Sequence, residues 1–177
     1  MLREPVSRTI SMYYERIFPT MQVSLNELPL EDLSYFLQNF YGSAYSAYRD
    51  EGLVDAACKM MCSLNVHKGH RLDEIPGTLS PPDLALAVSR LGKTVVGLTH
   101  RWEETKAVIR FWFPWINTDF DNTRGNIGRG SLAETYDTLR VEHRLMIETS
   151  NKCDRGLYEE AVQQFERQLE VAGVSFT

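Results

Sequence analysis

Apolar residues in this chain recur at spacings of three and four, and that rhythm restricts the backbone to helices. Leu84, Val88, Leu91, Val95, Leu98, Trp102, Ile109 and Trp112 follow a four-three pattern interrupted at Thr105, as expected of a helix that buries one stripe along its length. The alternation of Val, Ile, Thr and Tyr with polar residues that would mark half-buried strands is missing. The pattern predicts an all-α fold: a single domain of about five helices, arranged as a helical bundle or a short stack of helical hairpins.

Local signals place those helices. Pro29 suits a first turn, and Leu30, Leu33, Phe36, Leu37 and Phe40 predict a helix to about Tyr41, punctuated by Gly42. A second is expected over Ala44 to Leu64, followed by a polar loop from Asn65 to Thr78. Ser80 as a cap, Pro81 at the first helical position and Asp83 in the first turn open the middle helix. It is expected to run straight through Trp112. Glycines and polar residues then make 116–130 a loop, and Ser131 with Glu134 forms a capping box for a helix through about Thr149 that carries Leu132, Tyr136, Leu139, His143 and Met146 on one side. Asp154 is expected to cap a last helix with Tyr158, Ala161, Val162, Phe165 and Leu169 as its buried stripe. Residues 1–27, which hold Arg3, Arg8 and Arg16, read as an N-terminal arm used for targeting or partner contact, ahead of a helical domain over 28–177. Two gapless segments, beginning at Leu28 and at Leu79, are alike, which fits either an internal duplication or two similarly capped helices.

Charge narrows the partners. Nineteen basic residues against 24 acidic ones leave a net charge of -5, the wrong sign for a protein that holds nucleic acid through its phosphates. No apolar run reaches the length of a membrane-spanning helix. Three cysteines cannot all pair within one chain, which points to reduced thiols in a reducing compartment, the cytoplasm or the mitochondrial matrix.

Four constellations are candidates for chemistry. Cys58, Cys62, His67 and His70 could close a tetrahedral zinc site, although the spacing departs from the zinc-finger pattern. The residues favour instead two thiols that act as small buried hydrophobes beside Met60 and Met61, with His67 and His70 solvated. Asn117, Asp119, Asp121 and Thr123 alternate like calcium ligands, but Asn122 stands where the sharp turn needs glycine and Gly128 where the bidentate Glu should be. Gly125, Gly128, Arg129, Gly130 and Ser131, with Arg124, lead into a helix start and could bind an anion, without the lysine of a nucleotide-binding loop. Finally, Phe111, Trp112, Phe113 and Trp115 crowd one helix end, and a run that dense cannot turn wholly toward one core. These four residues are the expected partner-binding surface. No nucleophile elbow, HExxH or nucleotide fingerprint accompanies them, so neither catalysis nor a cofactor is expected.

Two resemblances add to this. Gly156, Tyr158, Ala161, Val162, Phe165, Leu169 and Val171 sit where the second helix of a tetratricopeptide repeat places its small and apolar residues, which implies a packed helical hairpin. Phe120-Asp121-Asn122-Thr123-Arg124, Ala133-Glu134-Thr135 and Phe165-Glu166 resemble, in order, elements of the coat proteins of rod-shaped plant viruses. An extra Asn interrupts the first element, and the spacing to the third is short. That resemblance implies a self-assembling capsid subunit contacting RNA through Arg124 in the 117–131 loop. The residues themselves favour a non-enzymatic helical subunit or adaptor that binds other protein subunits in a larger assembly.

Overall fold

The computed structural model describes residues 1–38, 54–62, 79–118 and 135–174. Among them the chain forms eight helices and no strand, so the all-α class holds while the expected count of about five does not. They are α1 (Pro5–Arg16), α2 (Phe18–Met21), α3 (Leu30–Gln38), α4 (Ala56–Cys62), α5 (Pro81–Leu91), α6 (Trp102–Trp112), α7 (Val141–Ser150) and α8 (Lys152–Ala172).

Two of the additional helices come from the N-terminal segment. The Glu4 carboxylate accepts from the backbone N–H groups of Val6 and Ser7, and Pro5 opens α1, so the first turn is capped by local chemistry. Val6, Ile10, Tyr13 and Tyr14 then lie on one face and are buried. Residues 1–27, expected as an arm, therefore supply core. Leu2 also pairs with the segment before α6: its N–H donates to the Gly97 carbonyl at 2.8 Å, and its carbonyl accepts from Thr99 at 3.0 Å. A side chain at position 97 would stand 2.6 Å from the Thr105 methyl, which is why the chain approaches so closely at a glycine.

The third additional helix comes from breaking the long middle one. Its start is as expected, with Asp83 accepting from the N–H and hydroxyl of Ser80, but α5 ends at Leu91 and α6 begins only at Trp102. The reason lies on α8. Gln164 donates to the carbonyls of Leu91 and Thr94, and Gln168 donates to Thr94 and accepts from the Val96 N–H. The Thr105 hydroxyl accepts from the Leu98 N–H and donates to its carbonyl. These side chains satisfy backbone groups that a continuous helix would have paired internally. Val96 and Leu98 are still buried, on a non-helical path.

Two smaller corrections concern the C-terminal half. Ser131 and Glu134 lie outside the described residues, and α7 starts at Val141, leaving Tyr136 exposed rather than on a buried side. α8 starts at Lys152 behind Asn151, so Asp154 is inside the first turn instead of capping it.

The apolar interior of the described residues falls into two clusters. The first joins α1, α3 and α7 with Leu25 and Leu28. The second joins α4, α5, α6 and α8 with Leu79, Val96 and Leu98. α8 carries the second through Leu157, Ala161, Phe165 and Leu169; the last three belong to the stripe expected from its periodicity, Leu157 was not expected there, and Tyr158 and Val162 are only partly buried beside it. Leu91 is buried in this cluster, and Leu91→Asp would place an unpaired charge there at a cost of several kcal/mol, comparable to the whole stability of a marginal domain. Thermal or urea unfolding should show the variant largely unfolded at room temperature.

Candidate functional site

α6 buries Thr105 and Val108 and ends at Trp112, because Pro114 forces the preceding residue out of helical conformation. Phe113 takes φ -133 and ψ 66. The chain then turns, with the Ile116 N–H donating to the Phe113 carbonyl. This local geometry splays the rings outward. Phe111 is 48% exposed, Trp112 43%, Trp115 76% and Ile116 44%. Phe111 and Trp112 meet edge to face at 5.3 Å, as do Phe113 and Trp115 at 5.8 Å, so the rings pack on one another rather than on a core. Arg110 reaches across to the buried Thr118 hydroxyl and holds the segment after the turn. The four expected partner-binding residues are thus brought together, and Ile116 joins them. Trp112, expected as part of a buried seam, faces solvent because the seam ends with the helix it was meant to continue.

A second cluster, which periodicity did not indicate, is polar and buried. The N-termini of α4 and α8 face each other and exchange caps. The Asp154 carboxylate accepts from the N–H groups of Ala57 and Cys58, at 3.0 and 2.7 Å, in the first turn of α4. Asp55, just before α4, accepts from the Asp154 N–H at 3.0 Å in the first turn of α8. Arg8 of α1 lies 2.6 Å from Asp154 and donates to the Asn151 side-chain oxygen, which also accepts from the Asp55 N–H. Asn151 in turn donates to the Ile147 carbonyl. Each carboxylate sits where the helix dipole favours a negative charge. Asp55 takes φ 49, a left-handed conformation that Asp and Asn tolerate better than other side chains.

Burial sets the titration here. It pushes the Asp55 carboxyl above the ordinary carboxylate range, with hydrogen bonds from Asp154 and Cys153 opposing it. Burial likewise pushes the Lys59 amine down, against the attraction of Asp55 and Asp154. The thiols follow the same logic. Cys58 is fully buried and raised by burial and then by Asp154, and Cys153 is pushed up to about 11 by burial and then by Asp55. Burial also raises Cys62, whose thiol donates to the Asp83 carbonyl. All three cysteines are free. Such surroundings favour the thiol over the thiolate.

The remaining candidates separate. His67 and His70 of the zinc reading, and Arg124, Arg129 and Ser131 of the anion or RNA reading, lie outside the described residues. Among the described residues no group of three or more His, Cys, Asp or Glu side chains is placed to hold a metal ion. His143 is buried and donates its Nε2–H to the Leu28 carbonyl at 2.7 Å, while Arg101 is held by Glu104 and Glu166 over the Phe165 ring. No described helix is long and apolar enough to cross a membrane. No family model, curated protein or solved structure matches the chain.

The polar cluster makes a sharp prediction. Asp154 uses both oxygens as acceptors, so Asp154→Asn turns a donor toward a backbone N–H and removes the carboxylate that faces Arg8, at about 3–5 kcal/mol. Asp55→Asn keeps an acceptor oxygen and the left-handed conformation while removing a buried charge, and costs far less. Because the folded state holds the Asp55 proton to higher pH than the unfolded chain does, Asp55 contributes stability in acid that is lost as pH rises through its folded value. Urea titrations at about pH 4 and about pH 7 should show Asp55→Asn becoming more favourable relative to the parent as pH rises.

Proposed function

We propose that this chain is a non-enzymatic helical subunit or adaptor that binds another protein through Phe111, Trp112, Phe113, Trp115 and Ile116. The observation that carries this reading is the exposure of large apolar side chains at four of six consecutive positions, whereas the other exposed apolar residues do not crowd into one short run. Aromatic residues anchor interfaces because they bury much area with few rotatable bonds. Scattered apolar residues occur on every surface, but a contiguous aromatic group marks a binding site. The non-enzymatic reading draws, among the described residues, on the use already made of the buried polar groups: the side chains of Asp55, Asn151 and Asp154 are engaged with backbone groups at helix ends. The proposed setting is a reducing compartment, cytoplasmic or mitochondrial matrix, where three unpaired thiols persist.

Truncating a hot-spot aromatic commonly costs 2 kcal/mol or more, roughly a thirtyfold loss of affinity. Trp115→Ala and Trp112→Ala are both expected to fold with nearly the parent melting temperature and to lose the native partner on co-purification. Met60→Ala, at a comparably exposed site on α4, is expected to retain it. Association that is indifferent to both tryptophans, or as sensitive to Met60, would sink this reading.

A further inference from the structure

His143 interrupts an apolar stripe. It stands four residues after Leu139 and four before Ile147, both buried in the first cluster, and it is itself only 3% exposed. The ring is fastened on one side alone. Its Nε2–H donates to the Leu28 carbonyl at 2.7 Å, while its Nδ1 is buried and meets no hydrogen-bond partner among the described residues. Leu28 closes the turn that leads into α3, where its N–H donates to the Ser24 carbonyl. The same turn is tied to the start of α7 a second time. The Asn26 amide donates to the Thr138 carbonyl at 2.9 Å and accepts from the Arg140 N–H at 2.6 Å.

The charged and titratable groups around this position leave Nδ1 without a partner. α1, α3 and α8 pack on α7. α1 brings the half-buried Glu15, Arg8, which is held by Asp154 and Asn151, and the hydroxyls of Tyr13 and Tyr14, which bind the Val23 carbonyl and the Leu25 N–H. Glu31 and Asp32 of α3 are exposed, and Glu27 in the turn is held by Ser24. On α8, Lys152 and Arg155 are exposed and Asp154 is taken up by Arg8 and the cap of α4. On α7 and just before it, Arg140 and Glu142 are exposed, Arg144 lies over the Tyr136 ring, and Glu148 accepts from the Tyr136 hydroxyl.

A neutral imidazole with its hydrogen on Nε2 offers Nδ1 only as an acceptor. A second proton turns Nδ1 into a donor and adds a charge inside an apolar cluster, where burial penalises charge and no acceptor is at hand. The bond to Leu28 persists in both states, so Nδ1 is where they differ. The packed arrangement suits the neutral ring, and one that wets Nδ1 suits the protonated ring. We propose that His143 is a proton-operated clasp, which holds the turn before α3 against α7 while the ring is neutral and releases it when the ring is protonated. A histidine free of the fold takes up its proton at about pH 6.5. The clasp therefore contributes stability above that range and loses it as the pH falls through and below it.

The test follows the full chain by NMR as the pH is lowered from about 7.5 until the His143 ring nitrogens report the second proton. Hydrogen exchange is compared as protection factors, which remove its intrinsic pH dependence. At the start the ring should show the neutral form protonated on Nε2. As the second proton binds, the amides of Leu28, Leu33 and Arg144, which bond within the turn, α3 and α7, should lose protection by at least about tenfold, while those of Leu157 and Phe165 stay within about twofold. His143→Gln keeps an N–H donor for the Leu28 carbonyl and has nothing to protonate, so its Leu28, Leu33 and Arg144 amides should hold their protection over the same range. A parent ring that takes its second proton with protection unchanged at these amides overturns the clasp, whether or not the variant folds. An equal loss at Leu157 and Phe165, or the same loss in a folded His143→Gln, overturns it as well.

Discussion

Everything at the centre of this fold depends on two helix starts that cannot satisfy themselves. The first N–H groups of a helix have no partner within it, and at the starts of α4 and α8 Cys58 and Asp154 are buried while Ala57 and Cys153 are half-buried. Asp154 and Asp55 resolve both deficits by crossing over, each carboxylate serving the other helix. The cost of burying two negative charges is met by Arg8, by nearby Lys59 and by the positive ends of the helix dipoles. At the other end of α4, Arg90 donates to the carbonyls of Met61 and Cys62. A helix of seven residues, too short to persist by itself, is thus fixed at both ends by side chains from α8 and α5.

The same economy explains the break between α5 and α6. A heptad pattern states which residues are to be buried, not that the backbone between them is helical. Leu91, Val96, Leu98 and Val108 all reach the second cluster, as a continuous stripe would have delivered them, but Val96 and Leu98 arrive on an irregular segment. What decides the path is a pair of glutamines on α8, separated by 70 or more residues from the groups they bind. No window along the chain contains both halves of that interaction. The spacing of apolar residues was therefore legible and the backbone conformation was not.

The N-terminal segment shows the opposite case, a signal that was present and outweighed. Val6, Ile10, Tyr13 and Tyr14 have helical spacing behind Glu4 and Pro5, yet Arg3, Arg8 and Arg16 read more readily as an arm. Arg8 in particular spends its charge inward, on an aspartate 146 positions away that looked like a cap for its own helix. The aromatic end of α6 was legible because it needs no tertiary information: adjacent large rings diverge on any backbone. The polar joint could not be read, because Asp55 and Asp154 are 99 residues apart and each has an ordinary local explanation.

Two departures from the rule of apolar inside and polar outside remain in the finished structure, and their surroundings distinguish them. At the joint, buried carboxylates, an amide and a guanidinium interlock, so the polar groups are explained from within the chain. At the end of α6 the reverse holds. Phe111, Trp112, Trp115 and Ile116 contribute their rings and branches to no buried cluster, although Pro114 and the turn to Ile116 set the backbone that carries them. A backbone already held in one conformation loses less freedom on binding than a mobile one does, so the proposed interface would form at a segment whose path is set before any partner arrives. An interior anomaly satisfied within the fold stabilises it, whereas an apolar anomaly on the surface leaves area that nothing in the described residues buries.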